Sequence, residues 1–156
     1  KHFRFTGGEP LLRKNIHLLI ARVKELDSHH DLSMTTNGTQ VDKLTKTLKE
    51  HGLDRLNVSL DSLRRECVKA ITGNDCLDKV ISGLLAAKMA GFEKIKINMV
   101  PILGVNDQDI DAIIAFCITH GFIMRMIEAM PMGTTGQATQ GTDLTKLLVE
   151  LAHKYE

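Results

Sequence analysis

With 156 residues and 43% apolar side chains, the chain is one domain's worth of sequence and can bury a core. Twenty Lys and Arg against nineteen Asp and Glu leave a formal charge of +1, which builds in no general attraction to nucleic acid or to an acidic membrane surface. A run of about 18 apolar residues is absent, as is a charged-then-apolar leader, so the chain is expected in the cytoplasm with no membrane span.

In chain order, Phe3 and Phe5 alternate with Arg4 and Thr6, which predicts a strand. Leu12, Ile16, Leu19, Ile20, Val23 and Leu26 then recur at helical spacing, with Pro10 in the first turn, where a missing N–H costs nothing. DLSMTTNG reads as a second strand, and VDKLTKTLKEHG as a short helix closed by Gly52. RLNVSLDS is a third strand, followed by a broken helical stretch through Ile71 and a strong helix, CLDKVISGLLAAKMAG, ending at Gly91. KIKINMV is a fourth strand stopped by Pro101, and Asp107 is a candidate N-cap for a helix carrying Ile110, Ile113, Ile114 and Cys117. IMRMIEAM is a fifth strand, GTTGQATQG a polar loop, and LTKLLVEL a last helix.

Strands alternating with helices predict an α/β fold with a mostly parallel sheet of about five strand–helix units, in a single domain over 1–156. Two architectures satisfy that order, an open doubly wound sheet and part of a β/α barrel. Strands covered on both faces are apolar nearly throughout. Here each carries a polar set: Arg4 and Thr6, Ser33 and Thr35, Asn57 with Ser59 and Asp61, Lys96 and Asn98. One face of the sheet is therefore wet, and a partial, TIM-like barrel around a polar cavity is the expected fold. The chain starts inside an apparent strand without an initiator Met, which points to a fragment with its first strand missing.

Ligands of parallel α/β proteins gather at the carboxyl ends of strands, which is where this chain puts TGGEP, TTNG, SLDS, NMVP and EAMPMG. Gly7 and Gly8 let a backbone approach a ligand closely, and Glu9 either braces the turn or meets an ammonium group. Arg4 and Lys96 belong to the cavity-facing set, and two cations there suit a polyphosphate. Arg125 and Glu128 lie on opposite faces of the fifth strand by parity, so at most one points inward. Cys67, Cys76 and Cys117 are widely spaced, with no Cys-x-x-Cys pair, and are expected to be ordinary thiols rather than metal ligands.

TGGEPLLR after a strand, then TTNG, LNVSLDS, KIKINMV, GVND and IEAMPMG in that order, closely resemble the radical S-adenosylmethionine (SAM) enzymes. Within them the similarity is to the branch that cyclises GTP in molybdenum cofactor biosynthesis, and it runs from Lys1 to about Gly133, leaving 134–156 less distinctive. The resemblance implies that Gly7, Gly8 and Glu9 hold the amino group of S-adenosyl-L-methionine. It implies that Ser59 contacts the SAM carboxylate or ribose region and that Met130 meets the adenine. Arg4, Thr35 and Lys96 are implied to line the GTP site.

The family's cysteine triad, Cys-x-x-x-Cys-x-x-Cys, is absent from this chain, so the ligands of the implied 4Fe–4S clusters are expected outside it, and the chain alone is expected to be inactive. His2 stands where many relatives have Lys, which makes one phosphate contact weaker and pH-dependent. The resemblance leaves room for a homodimer and implies neither a nucleic-acid nor a membrane partner. Two alternatives remain open: another radical SAM enzyme, such as a peptide maturase, and a non-catalytic nucleotide-binding remnant.

Overall fold

In the computed structural model, residues 1–129 and 144–155 are described. Met130 and the GTTGQATQG stretch lie outside the described residues. Strand β1 (His2–Phe5) leads into a 3-10 turn at Pro10–Leu12 and helix α1 (Ile16–Leu26). Next come β2 (Asp31–Thr36), α2 (Val41–Glu50) and β3 (Arg55–Ser59). Two helices, α3 (Arg65–Thr72) and α4 (Leu77–Met89), precede β4 (Lys94–Met99). Helix α5 (Ile110–His120), β5 (Ile123–Met126) and α6 (Leu144–Tyr155) complete the described elements.

The strands form one five-stranded sheet in the order β1-β2-β3-β4-β5, and each neighbouring pair is parallel. A doubly wound sheet reverses its strand order at a switch point, whereas a barrel adds strands in one direction. This order therefore belongs to an arc of a barrel. Among the described residues the arc is not closed, and β1 and β5 are its margins.

The apolar half of each strand builds the core. Leu32 and Met34 of β2, Leu56 and Val58 of β3, and Ile95, Ile97 and Met99 of β4 are buried together with Ile20 of α1, Leu48 of α2, Leu84 of α4 and Ile113 of α5. Fully burying a side chain of this kind is worth about 1.5–3 kcal/mol. Alternation along a strand then leaves the other face to the polar set. Helix α4 comes very close to the loop after β2: a Cβ on Gly83 would stand 2.9 Å from the Gly38 carbonyl oxygen, and one on Gly38 2.8 Å from Val58 Cγ1.

Three sequence expectations change. The helix expected from Leu12 is divided, because Glu9 caps only the Pro10–Leu12 turn and Asn15 takes a left-handed conformation (φ 59°) before α1 begins. Asp107 does not cap α5. Its carboxylate accepts the Gly104 N–H at 2.9 Å, and Asp107–Asp109 form a 3-10 turn instead. Strand β5 is shorter than IMRMIEAM, although Ile127 N–H still donates to Met99 O at 2.8 Å.

Candidate functional site

The register sorts the polar face into rows. Arg4 lies beside Ser33, which lies beside Arg55 and then Lys94. One row further along, Thr35, Asn57 and Lys96 are neighbours across three strands. The next row holds Ser59, Asn98 and Arg125. Rows stand about 6.6 Å apart and neighbouring strands about 4.8 Å. Polar residues from five strands thus share one face, with the last row at the carboxyl ends. Arg4 and Ser59 are exposed there, and Thr35 and Lys96 are half-buried.

The turn after β1 leaves the sheet at the carboxyl end of that strand. Gly7 has φ 147°, a backbone that disfavours any side chain, while Gly8 has no such constraint. A Cβ at either position would meet nothing within 4 Å. Packing among the described residues therefore gives no reason for a glycine at position 8. Glu9 is the brace of the turn: Oε1 accepts Leu11 N–H at 3.0 Å and the Thr36 hydroxyl at 2.7 Å, and Oε2 accepts Asn37 N–H at 2.7 Å. A carboxylate offers about four acceptor sites, so one remains on Oε2. The hydroxyl of Thr36 in turn accepts Gly38 N–H at 3.1 Å, which ties the first glycine turn to the end of β2.

A second set of contacts fixes the ends of β3 and β4 to each other. The Asp61 carboxylate accepts Val100 N–H at 2.8 Å. Asn106, fully buried, donates from Nδ2 to Asp61 O (2.8 Å) and Val100 O (3.0 Å) and accepts Ile102 N–H at 2.7 Å. Asp109 accepts the Ser62 hydroxyl at 2.6 Å and Arg64 Nε at 2.7 Å, and Arg64 also donates to Val105 O at 3.0 Å. Burial pushes the Asp61 carboxyl above its ordinary range, against the opposing Val100 N–H. Burial pushes Asp109 up as well, but its bonds to Arg64 and Ser62 and the Arg64 charge outweigh that, and its carboxyl titrates below the usual value. Asp61 thus carries an uncompensated desolvation and Asp109 a compensated one.

By register the sequence-predicted residues Arg4, Thr35, Ser59 and Lys96 share one face of the sheet, and Gly7, Gly8 and Glu9 follow β1 at its carboxyl end. Met130 lies outside the described residues. The choice between Arg125 and Glu128 is resolved: Arg125 is in register with Asn98 on the polar face, and Glu128 lies beyond β5. His2 shares the parity of Arg4 and bonds Asp31 Oδ2 through Nδ1 at 2.7 Å. Parity put Asn98 and Asp61 in the polar set without giving them a role, and the Asp61–Asn106–Asp109 contacts were not singled out from sequence. The bonds from Asp61 to Val100, from Asn106 to Asp61 and from Ser62 to Asp109 join residues more than thirty positions apart and leave no local pattern.

Cys67 and Cys117 are buried and Cys76 half-buried, and burial lifts the Cys117 thiol to about 11. Among the described residues no group of three or more His, Cys, Asp or Glu could hold a metal ion, and no helix is long and apolar enough to cross a membrane.

Comparison with known proteins follows the same lines. The solved structure of coproporphyrinogen III oxidase from Escherichia coli, described as a radical SAM enzyme, superposes with a TM-score of 0.68 over 97% of this chain and 40% of that one, at 13% identity. GTP 3′,8-cyclase of Ectopseudomonas mendocina is 44% identical over 134 residues, covering 86% of this chain and 40% of that protein. The GTP 3′,8-cyclase of Aliarcobacter butzleri is 39% identical over 155 residues, covering 99% and 48%. The chain therefore spans less than half the length of these relatives. Residues 1–117, three quarters of the chain, match the model of the radical SAM superfamily, and with a barrel arc of the same shape the chain belongs to that superfamily.

Proposed function

We propose that this chain is the barrel segment of a radical SAM GTP 3′,8-cyclase acting in molybdenum cofactor biosynthesis. The relatives of about 40% identity carry that name, and the arrangement of side chains supports the reading. In it, the turn at Gly7, Gly8 and Glu9 receives the methionine end of SAM: backbone groups of the turn approach the ligand, and the acceptor site left on Glu9 Oε2 faces its ammonium group. Ser59 meets the ribose or carboxylate region, and Met130 the adenine. Arg4, Thr35 and Lys96 hold GTP, Arg by bidentate bonds to phosphate and Lys as a point charge.

The space left open at Gly8 fits a bound group of that kind. SAM, when bound, supplies the radical chemistry that removes a hydrogen from the ribose of GTP. The protein's part is to orient two nucleotides and to keep water from the reacting atoms. The chain's own cysteines do not fit a 4Fe–4S cluster: they are widely separated in sequence, two are buried, and Cys117 is held protonated by burial. Cluster ligands are placed outside this chain by this reading, and the chain alone is inactive as a cyclase; the intact protein works in the cytoplasm on GTP, a small-molecule substrate.

The observation that carries the proposal is the shared face of Arg4, Thr35, Ser59 and Lys96. Titration calorimetry on the full-length protein tests it. Arg4→Ala is expected to weaken GTP binding by about tenfold or more, the size of a lost charged hydrogen bond, with SAM binding unchanged. Equal losses for both ligands would overturn the assignment.

A further inference from the structure

Two histidines stand ring to ring in the helical layer, away from the polar face of the sheet. His17 belongs to α1 and His51 is the residue that closes α2, the two helices that pack Ile20 and Leu48 into the core. Their ring centres are 4.8 Å apart and their planes cross at 75°. Both residues are half-buried, so the space beside the rings stays open to water. The other histidine ring contacts among the described residues are with phenylalanine: His30 with Phe3, and His120 with Phe116 and Phe122. Those are ordinary aromatic packing. The contact of His17 with His51 instead brings two nitrogen ligands together.

The hydrogen bonds leave those nitrogens available. His51 Nδ1 lies 2.7 Å from the carbonyl oxygen of Thr47. A carbonyl oxygen only accepts, so Nδ1 carries the proton and Nε2 of the neutral ring is a lone pair. Metal-ligating histidines commonly donate their second N–H to a backbone carbonyl in this way, which fixes both tautomer and ring. His17 makes no hydrogen bond to a described residue. The spacing also fits: an ion about 2.1 Å from a ring nitrogen stands about 3.2 Å from the ring centre, so two imidazoles on one tetrahedral ion have centres about 5 Å apart.

We propose that His17 and His51 form a two-histidine clip for a divalent ion of the zinc, nickel and copper class, tying α1 to α2. Imidazole suits that class, whereas Mg²⁺ takes oxygen ligands. Two protein nitrogens leave the remaining positions to water, so the clip holds an exchangeable ion and is not a closed structural centre. Neither residue takes part in the nucleotide reading above, and the clip stands or falls without it.

The test is titration of Zn²⁺ into the full-length protein, freed of loosely bound metal by a chelator and labelled with ¹³C in its histidine rings. Ring signals read by NMR report on each histidine separately, whatever other groups take up zinc. The signals of His17 and His51 are expected to move together with one midpoint, and Mg²⁺ is expected to move neither. In His17→Gln the zinc response of His51 should need at least about tenfold more ion, since loss of a ligand costs no less than loss of the group that orients one. His51→Gln should do the same to His17. It also loses the bond to Thr47 O, so His17→Gln, which loses no hydrogen bond, decides the matter if His51→Gln does not fold. Rings that ignore Zn²⁺, or a His51 response that keeps its midpoint in His17→Gln, would reduce the pair to edge-to-face packing and overturn the proposal.

Discussion

Two loops leave the same end of the sheet and are built in opposite ways. The loop after β1 carries Gly7 and Gly8 in open space and is held by the three bonds of one carboxylate. The stretch after β4 is bound to the stretch after β3 by Asn106, Asp109 and Arg64, with Asn106 wholly out of solvent. One keeps room beside its backbone; the other keeps two strand ends still. A site needs both, since a rigid support positions groups that an open loop lets a ligand reach.

The comparison breaks most readily at Asn106. Asn106→Ala would leave the Ile102 N–H and the Asp61 and Val100 carbonyls without partners, and is expected to destabilise the fold by about 3 kcal/mol or more in urea unfolding. A loss under about 0.5 kcal/mol would show that Asn106 does not hold the ends of β3 and β4 together. Next in size is Gly38→Ala, where φ is +81° and the new Cβ would press on Val58 and Val80. About 2 kcal/mol is expected from the backbone and the crowding together.

A subtler variant, Asp61→Asn, sharpens the picture of the support. The folded-state carboxyl is raised above 3.8 by burial, so the folded protein binds that proton more tightly than the unfolded chain does. Stability therefore falls as pH rises through the interval between the unfolded and folded values, and the charge is a burden above it. Asn keeps an acceptor for Val100 N–H and carries no charge. Thermal melts should find the variant more stable than the parent near neutral pH, with the gap closing as pH falls below 3.8. A gap that does not change with pH would remove the burial account. The smallest effect on stability belongs to Gly8→Ala, within about 0.5 kcal/mol of the parent, although SAM affinity in the full-length protein should drop about tenfold as the methyl group takes the ligand's space. Unchanged affinity would mean that the turn is open for some other reason.

The barrel arc was legible because strand alternation is a local signal. Arg4, Thr35, Asn57, Ser59 and Lys96 each stand on the polar parity of their strand, and parallel pairing then aligned them in rows. Arg125 needed the register as well, since parity alone offered Glu128 with equal right. Asp107 misled because a residue that caps a helix in one setting serves a turn in another, and here its carboxylate is taken by the Gly104 N–H. Asn106 was quoted inside GVND without a task, because what it holds arrives from Asp61 and Val100.

Glu9 sets a limit on how this turn can vary. Its oxygens meet N–H and O–H groups on both sides, from Leu11, Thr36 and Asn37. Glutamine has nearly the same shape, but one end of its amide is itself a donor and would point hydrogen at hydrogen whichever way it was turned. Aspartate, a methylene shorter, would not span from the first loop to Asn37. The position thus tolerates neither the neutral isostere nor the shorter acid, and it does so without regard to what the neighbouring glycines bind.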